Sequence, residues 1–358
     1  MPDLRYDPHS GRWVVVAAER AARPHTFRAL EPISADAPPG CPFCPGNEAE
    51  TPPEVFRTGT GDPDTPGWRV RVFPNKFPIV TPAPAAEGAP PAVESTDRWR
   101  RSMPATGRHE VATFSPEHHR SLTELTDAET VELFRVLRDR VVAHRDLGHV
   151  YTQVIVNHGK AAGASIEHPH AQIISVDFAP AVLLEELQQQ RVEGVVLARD
   201  GRDREAAGEL AILEHRVPPS GTDGAGDGAA AAVAWAPWAS STPYESIVAP
   251  RENGPSFADA SDGAVAAVAI AVRDTLRALR DAVGEQPYNV LVHTRPNDRD
   301  DDYQWHVHIT PRLQTIAGFE LGAGVWVNIV PPELAAMRLR EAHAGFRDAG
   351  DAAVDLEP

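Results

Sequence analysis

Two stretches of the chain carry the same succession of apolar and polar patterns. In the first, residues 110–116 form a short apolar-rich run stopped by proline, which predicts a strand. Val131, Leu133, Phe134, Leu137 and Val141 then fall at helical spacing and predict a helix over about 126–144. Residues 151–157 are a β-branched strand, a glycine-bearing loop follows, and residues 168–174 resume extended structure. The second stretch repeats the order with a strand at 245–250, a helix over about 262–281, a strand at 288–293, a loop, and a strand at 306–311. A match over so many elements implies an internal duplication, an α+β fold in which two modules, 1–195 and 196–358, share a mostly antiparallel sheet flanked by helices. Both strands bearing the pattern His-x-His are expected near the middle of that sheet. Residues 81–93 and 220–232, rich in Pro, Gly and Ala, lack such a pattern and read as surface loops.

Composition narrows the partners. Lys plus Arg number 34 against 51 for Asp plus Glu, a net charge of -17, which argues against broad attraction to nucleic acid or an anionic membrane. Any phosphate site has to be built locally. The start of the chain lacks a signal pattern and no apolar run is long enough to span a bilayer, so a cytoplasmic protein is expected. Lysine occurs only at Lys76 and Lys160, each beside a motif treated below.

On a strand, residues two apart share a face, so His168 pairs with His170 and His306 with His308. A lone histidine is more often structural, but two such pairs at equivalent repeat positions need a common explanation. Cys41 and Cys44, the only cysteines, have the spacing that grips a zinc ion from a tight turn. The same spacing occurs in redox sites, but the Pro/Gly surroundings lack a βαβ context and favour zinc, with His118 and His168 as candidate partners. His170 is the candidate nucleophile, because a neutral imidazole attacks phosphorus readily and leaves readily from a phosphoramidate. Gln172, on the same face, can hydrogen-bond phosphoryl oxygens without taking a proton. The preceding small-residue loop, 157–165, offers amides and the Ser165 hydroxyl as a phosphate cradle.

Together these motifs resemble the galactose-1-phosphate uridylyltransferase family, the transferase branch of the histidine-triad superfamily. The resemblance runs from Asp7-Pro8, Gly11-Arg12-Trp13-Val14 and Arg20-Ala21-Ala22-Arg23-Pro24 through Cys41-Pro42-Phe43-Cys44, Val72-Phe73-Pro74-Asn75 and Phe114-Ser115-Pro116-Glu117-His118. His168-Pro169-His170-Ala171-Gln172 is its most specific element. The resemblance implies two tandem histidine-triad-like modules and a transfer of UMP between a UDP-hexose and a hexose 1-phosphate through a nucleotidyl-His170 adduct. It implies zinc on Cys41, Cys44, His118 and His168, with His119 competing for the third place. A second divalent metal, iron or zinc, falls on Glu186, His293, His306 and His308, with Glu185 as the competing carboxylate. Nucleotide contacts fall on Arg20, Arg23, Asn75, Asn157, Gly163 and Ser165, and sugar-phosphate contacts on Phe319 and Glu320. It further implies a homodimer that binds a nucleotide sugar and a sugar 1-phosphate.

The chain departs from the best-known members at Lys76, where they have Asp, at Ile166-Glu167, where they have Asn-Pro, and at Ala171, where they have Gly. The first change touches the nucleoside pocket, so an adenylyl transferase or phosphorylase acting on an ADP-sugar or dinucleotide stands as the alternative. A zinc-stabilised nucleotide-binding module without turnover is the alternative of another class.

Overall fold

The computed structural model describes residues 2–22, 40–82, 99–100, 102–217 and 230–354. The expected loops at 83–93 and 220–229 lie outside the described residues. In chain order the elements are β1 (Asp3–Asp7), β2 (Arg12–Val16), β3 (Phe56–Gly59), β4 (Trp68–Pro74), β5 (Gly107–Thr113), α1 (Asp127–Asp146), β6 (Tyr151–His158) and β7 (His170–Val176). There follow α2 (Ala181–Glu193), α3 (Leu197–Arg204), β8 (Ala211–Val217), β9 (Ala230–Trp235), β10 (Ser246–Pro250), α4 (Asp262–Val283), β11 (Tyr288–His293) and β12 (His306–Pro311). The chain ends with α5 (Gly318–Ala323), β13 (Trp326–Asn328) and α6 (Pro332–Val354).

Among the described residues, ten strands form one antiparallel sheet in the order β3-β4-β5-β7-β6-β11-β12-β10-β9-β8. Strands β3 to β7 fill one half of this sheet and β8 to β12 the other, in the same succession counted inward from either edge, and the two sets join where β6 pairs with β11. His170 thus lies near the middle on β7, and His306 and His308 lie near the middle on β12. A separate sheet, β1-β2-β13, is closed by a parallel pair between β2 and β13.

The expected helices form where their end signals lie. Thr126 caps α1, accepting from the Glu129 amide while the Glu129 carboxylate accepts from the Thr126 amide. Ser261 caps α4 in the same position relative to its helix. Helix α4 is Ala- and Val-rich and buried along most of its length, because it packs against β8, β9 and β10 while also contacting α1 and α6.

Alternation sorts the sheet into two faces. Val154, Val156, Ala171, Ile173, Val290, Val292, Val307 and Ile309 join Leu133, Leu137, Val268 and Leu276 of α1 and α4 in one apolar core. The intervening residues, His170, Gln172, His293, His306 and His308 among them, therefore face the opposite side. A shift of one residue in register would drive these imidazoles into the core, so burial of the apolar set fixes where the chemistry faces.

Two details differ from the sequence expectation. Strand β7 begins at His170, so His168 lies in the turn before it and the two imidazoles are not on one strand. Residues 230–232, expected in a loop, open β9, where alanines with little intrinsic signal are buried and paired with β8 and β10.

Candidate active site

Cys41, Cys44, His118 and His168 converge below the start of β7, with one ligand atom from each within 4.8 Å of the others. Cys44 Sγ lies 3.4 Å from His118 Nδ1 and 3.5 Å from His168 Nδ1. Ligands at ordinary zinc–sulfur and zinc–nitrogen lengths around a tetrahedral ion are separated by about 3.6 Å, so the cluster fits a metal ion of that kind. His168 Nε2 is 2.8 Å from the Ser115 carbonyl. A carbonyl only accepts, so Nε2 carries the proton and the Nδ1 lone pair is left facing the thiols. Burial, assisted by the neighbouring imidazoles, lowers the His168 pKa to about 4 and keeps it neutral, as a ligand must be. Burial and the adjacent Cys41 push the Cys44 thiol up to about 11, a cost that a bound cation would reverse. His119 packs against His118 at 5.2 Å between ring centroids but gives no atom to the cluster.

Two residues on, His170 faces a cavity of about 250 Å³. Its Nδ1 is 2.8 Å from the His168 carbonyl, so the proton sits on Nδ1 and the Nε2 lone pair is free. Burial lowers its pKa below the ordinary histidine value, which keeps the ring neutral. Phe43, between the two cysteines, packs edge-on to His170 at 5.3 Å and against Phe73 at 5.4 Å, so the turn bearing the cysteines also supplies a wall of the cavity.

Gln172, Asn75 and Ser165 also line this cavity. So do Phe77 and Glu50, which the sequence reading did not place in the site, and Lys76, the departure expected to touch the nucleoside pocket. The Lys76 ammonium donates to the Glu50 carbonyl at 3.1 Å, which places a cation at this cavity of an acidic chain. His109 was likewise missed, because β5 begins at Gly107 and not at residue 110. Nothing in the sequence marks that histidine. Its place emerges only when β5 pairs with β7.

The remaining expected contacts divide. Asn157 faces the same side as His170, one residue past the last β6–β7 pair, and its Oδ1 accepts from Asn289 Nδ2 at 2.7 Å. Gly163 adopts φ of 91° and closes the short 3-10 helix Lys160–Ala162. The amides of Ala162, Gly163 and Ala164 bond the carbonyls of Gly159 and Lys160 within this turn, so these three are spent on local structure. Arg20 is exposed at the helical turn Ala18–Ala22 and does not line the cavity, and Arg23 lies outside the described residues. Phe319 and Glu320 are on α5, away from the cavity lining, where Glu320 accepts from the Ala317 amide at 3.1 Å.

Glu186, His293, His306 and His308 form the second group with ligand atoms within 4.8 Å of one another. Glu185 points elsewhere and pairs with Arg12 at 2.8 Å. His306 and His308 bring their Nε2 atoms to 3.0 Å, and His293 Nδ1 lies 2.8 Å from Glu186 Oε1. Two imidazole nitrogens at that distance need a shared proton or a cation between them, and one carboxylate with three imidazoles suits a borderline divalent metal. Burial opposes charge on Glu186, but the surrounding imidazoles outweigh it and hold the carboxyl well below its usual range. Tyr303 donates to Glu186 Oε2 at 2.5 Å and orients it. His306 repeats the geometry of His170, with its Nδ1 2.8 Å from the carbonyl two residues earlier.

A two-fold repeated antiparallel sheet that presents an uncharged imidazole to a cavity beside a Cys2His2 cluster defines a class of nucleotidyl transferases. The chain belongs to the galactose-1-phosphate uridyl transferase family: residues 1–180 match the description "Galactose-1-phosphate uridyl transferase, N-terminal domain". It is 28% identical to an ADP-glucose phosphorylase of Arabidopsis thaliana over 95% of this chain and 93% of that one. It is 29% identical to a galactose-1-phosphate uridylyltransferase of Haemophilus influenzae over 95% and 94%. The crystal structure of the Arabidopsis thaliana ADP-glucose phosphorylase with bound ADP-glucose superposes with a TM-score of 0.76 at 25% identity, covering 95% of this chain and 98% of that one. No helix among the described residues is long and apolar enough to cross a membrane.

Proposed function

We propose that this protein moves a nucleoside monophosphate from a nucleoside-diphosphate hexose to a phosphate-bearing acceptor through a covalent adduct on His170. The observation that carries the reading is the His170 ring itself: neutral, with its proton fixed on Nδ1 and its Nε2 free toward the cavity. In the first step Nε2 forms a bond to the α-phosphorus, the phosphorus–oxygen bond to hexose 1-phosphate breaks, and that product leaves with the bonding pair. The Nδ1 proton stays in place, and the positive charge gained by the ring is stabilised by the His168 carbonyl. In the second step an ionised phosphate oxygen of the acceptor attacks the same phosphorus and the nitrogen–phosphorus bond breaks, so no general base is required. Gln172 would hydrogen-bond the phosphoryl oxygens and Lys76 would offset their charge.

The first assignment is a hexose-1-phosphate uridylyltransferase, with a UDP-hexose as donor and a hexose 1-phosphate as acceptor. The second, an ADP-sugar phosphorylase, is supported by similarity to an ADP-glucose phosphorylase along most of the chain, and the departure at Lys76 leaves the choice of nucleoside open. Zinc on Cys41, Cys44, His118 and His168 would be structural, holding the turn that leads into His170. Iron or zinc would occupy the second cluster. Phe319 and Leu321 are large apolar side chains left exposed on α5, which fits a homodimer whose second copy covers them. A cytoplasmic location accords with the reading.

Intact-mass measurement after brief exposure to UDP-glucose and ADP-glucose tests all of this. A uridylyl or adenylyl increment on the wild type names the nucleoside, and its loss in His170→Gly, with metal content and folding retained, assigns the nucleophile. No increment with any donor leaves a nucleotide-binding module without turnover.

A further inference from the structure

We infer that His109 is a positioning residue that turns the amide of Gln172 so that its NH2 group faces the reacting phosphate. The inference rests on the transfer reading above and concerns how that site is organised. His109 lies on β5, and pairing of Val111 with Gln172 and of His109 with Ile174 makes it the diagonal neighbour of Gln172 on the cavity face. The ring is buried. The backbone amide of Ile79 points at its Nδ1 from 3.3 Å. An amide can only donate, so Nδ1 is the bare nitrogen and Nε2 carries the proton.

That proton decides the orientation of the glutamine. His109 Nε2 is 2.8 Å from the Gln172 side chain, and an N–H there requires the oxygen end of the amide. With Oε1 held, the two amide hydrogens of Gln172 are left for the cavity that His170 faces. The opposite orientation would set N–H against N–H. Asn75 Nδ2 also lies 3.1 Å from His109 Nε2, but its own Oδ1 is committed to the Phe77 amide at 2.8 Å. In this tautomer that contact is between two donors and contributes no bond. Burial lowers the His109 pKa, which keeps the ring in the single-proton form the arrangement needs.

A hydrogen-bond donor aimed at developing phosphoryl charge contributes mainly to the transition state, so misdirecting it lowers kcat more than it raises KM. The test is single-turnover formation of the nucleotidyl adduct, followed by intact mass with UDP-glucose and ADP-glucose, together with steady-state kcat and KM. His109→Phe keeps the bulk and loses the donor, and is expected to slow adduct formation roughly 10- to 100-fold while KM changes less than about threefold. His109→Gln, which can place an N–H near the original Nε2, is expected to recover most of the rate. In a Gln172→Ala background His109→Phe should add less than about a twofold loss, since the partner it orients is gone. A wild-type adduct rate in His109→Phe, or a full additional loss in the double variant, overturns the inference. Absence of any adduct in the wild type would instead defeat the transfer reading on which it stands.

Discussion

Glu110→Gln asks how much of the stability around the reactive strand depends on one buried charge. Glu110 sits on β5 opposite Ile173, the residue after Gln172, and is 3% exposed. Arg140 of α1 donates to its two oxygens at 2.9 and 2.7 Å, and His144 Nε2 lies 3.1 Å away. Burial works to raise the carboxyl pKa, but His144 and the two-pronged Arg140 outweigh it and hold the value at about 2 against an ordinary 4.5. A carboxyl depressed in the folded state contributes stability that is fully present above its unfolded pKa and is lost as pH falls toward the folded one. The interval from 4.5 to about 2 corresponds to roughly 3 kcal/mol. Removing one member of a buried pair costs about 3–5 kcal/mol when its partner stays buried, and partly exposed Arg140 puts this case at the lower end. Urea unfolding followed by tryptophan fluorescence should therefore separate wild type from Glu110→Gln by about 3 kcal/mol at pH 7. The gap should shrink to about 1 kcal/mol at pH 3 as the carboxyl of the unfolded chain takes up its proton while the folded one stays largely ionised. Equal midpoints at pH 7, or a gap that does not narrow in acid, would refute the reasoning.

Two further substitutions probe the other supports of the site. Cys41→Ser should lower bound metal by one equivalent and lower the thermal midpoint with it, because a thiolate ligand and the turn it holds are lost together; unchanged metal content by elemental analysis would remove Cys41 from the ligand set. Leu133→Ala, at a fully buried position of α1, should cost about 2–5 kcal/mol in urea unfolding without changing which nucleoside forms the adduct. Wild-type stability there would mean that α1 does not hold this face of the sheet.

The sequence by itself determined a good part of this protein. Period-3.6 apolar spacing was enough for α1, and β-branched runs were enough for β6 and β11, because these signals act over a few residues. The repeat of pattern along the chain was legible in residue types alone, and β6 and β11, one from each stretch, pair side by side in the sheet. Cys41, Cys44, His118 and His168 were legible as one group because their residue types share one chemistry.

Other features had no local signal. Strand β9 is built from alanines that only burial between two neighbours makes extended. The amides of 162–164 looked available in one dimension and are consumed by their own turn in three. Glu185 and Glu186 are indistinguishable in the sequence, and the face of α2 sends one to Arg12 and the other to the imidazoles. His109 and Gln172 are 63 residues apart, and the bond between them exists because antiparallel register brings β5 beside β7. Residue types carry the chemistry that a site can perform, but distance and direction between groups far apart in the chain are set by pairing and packing, which only the folded sheet supplies.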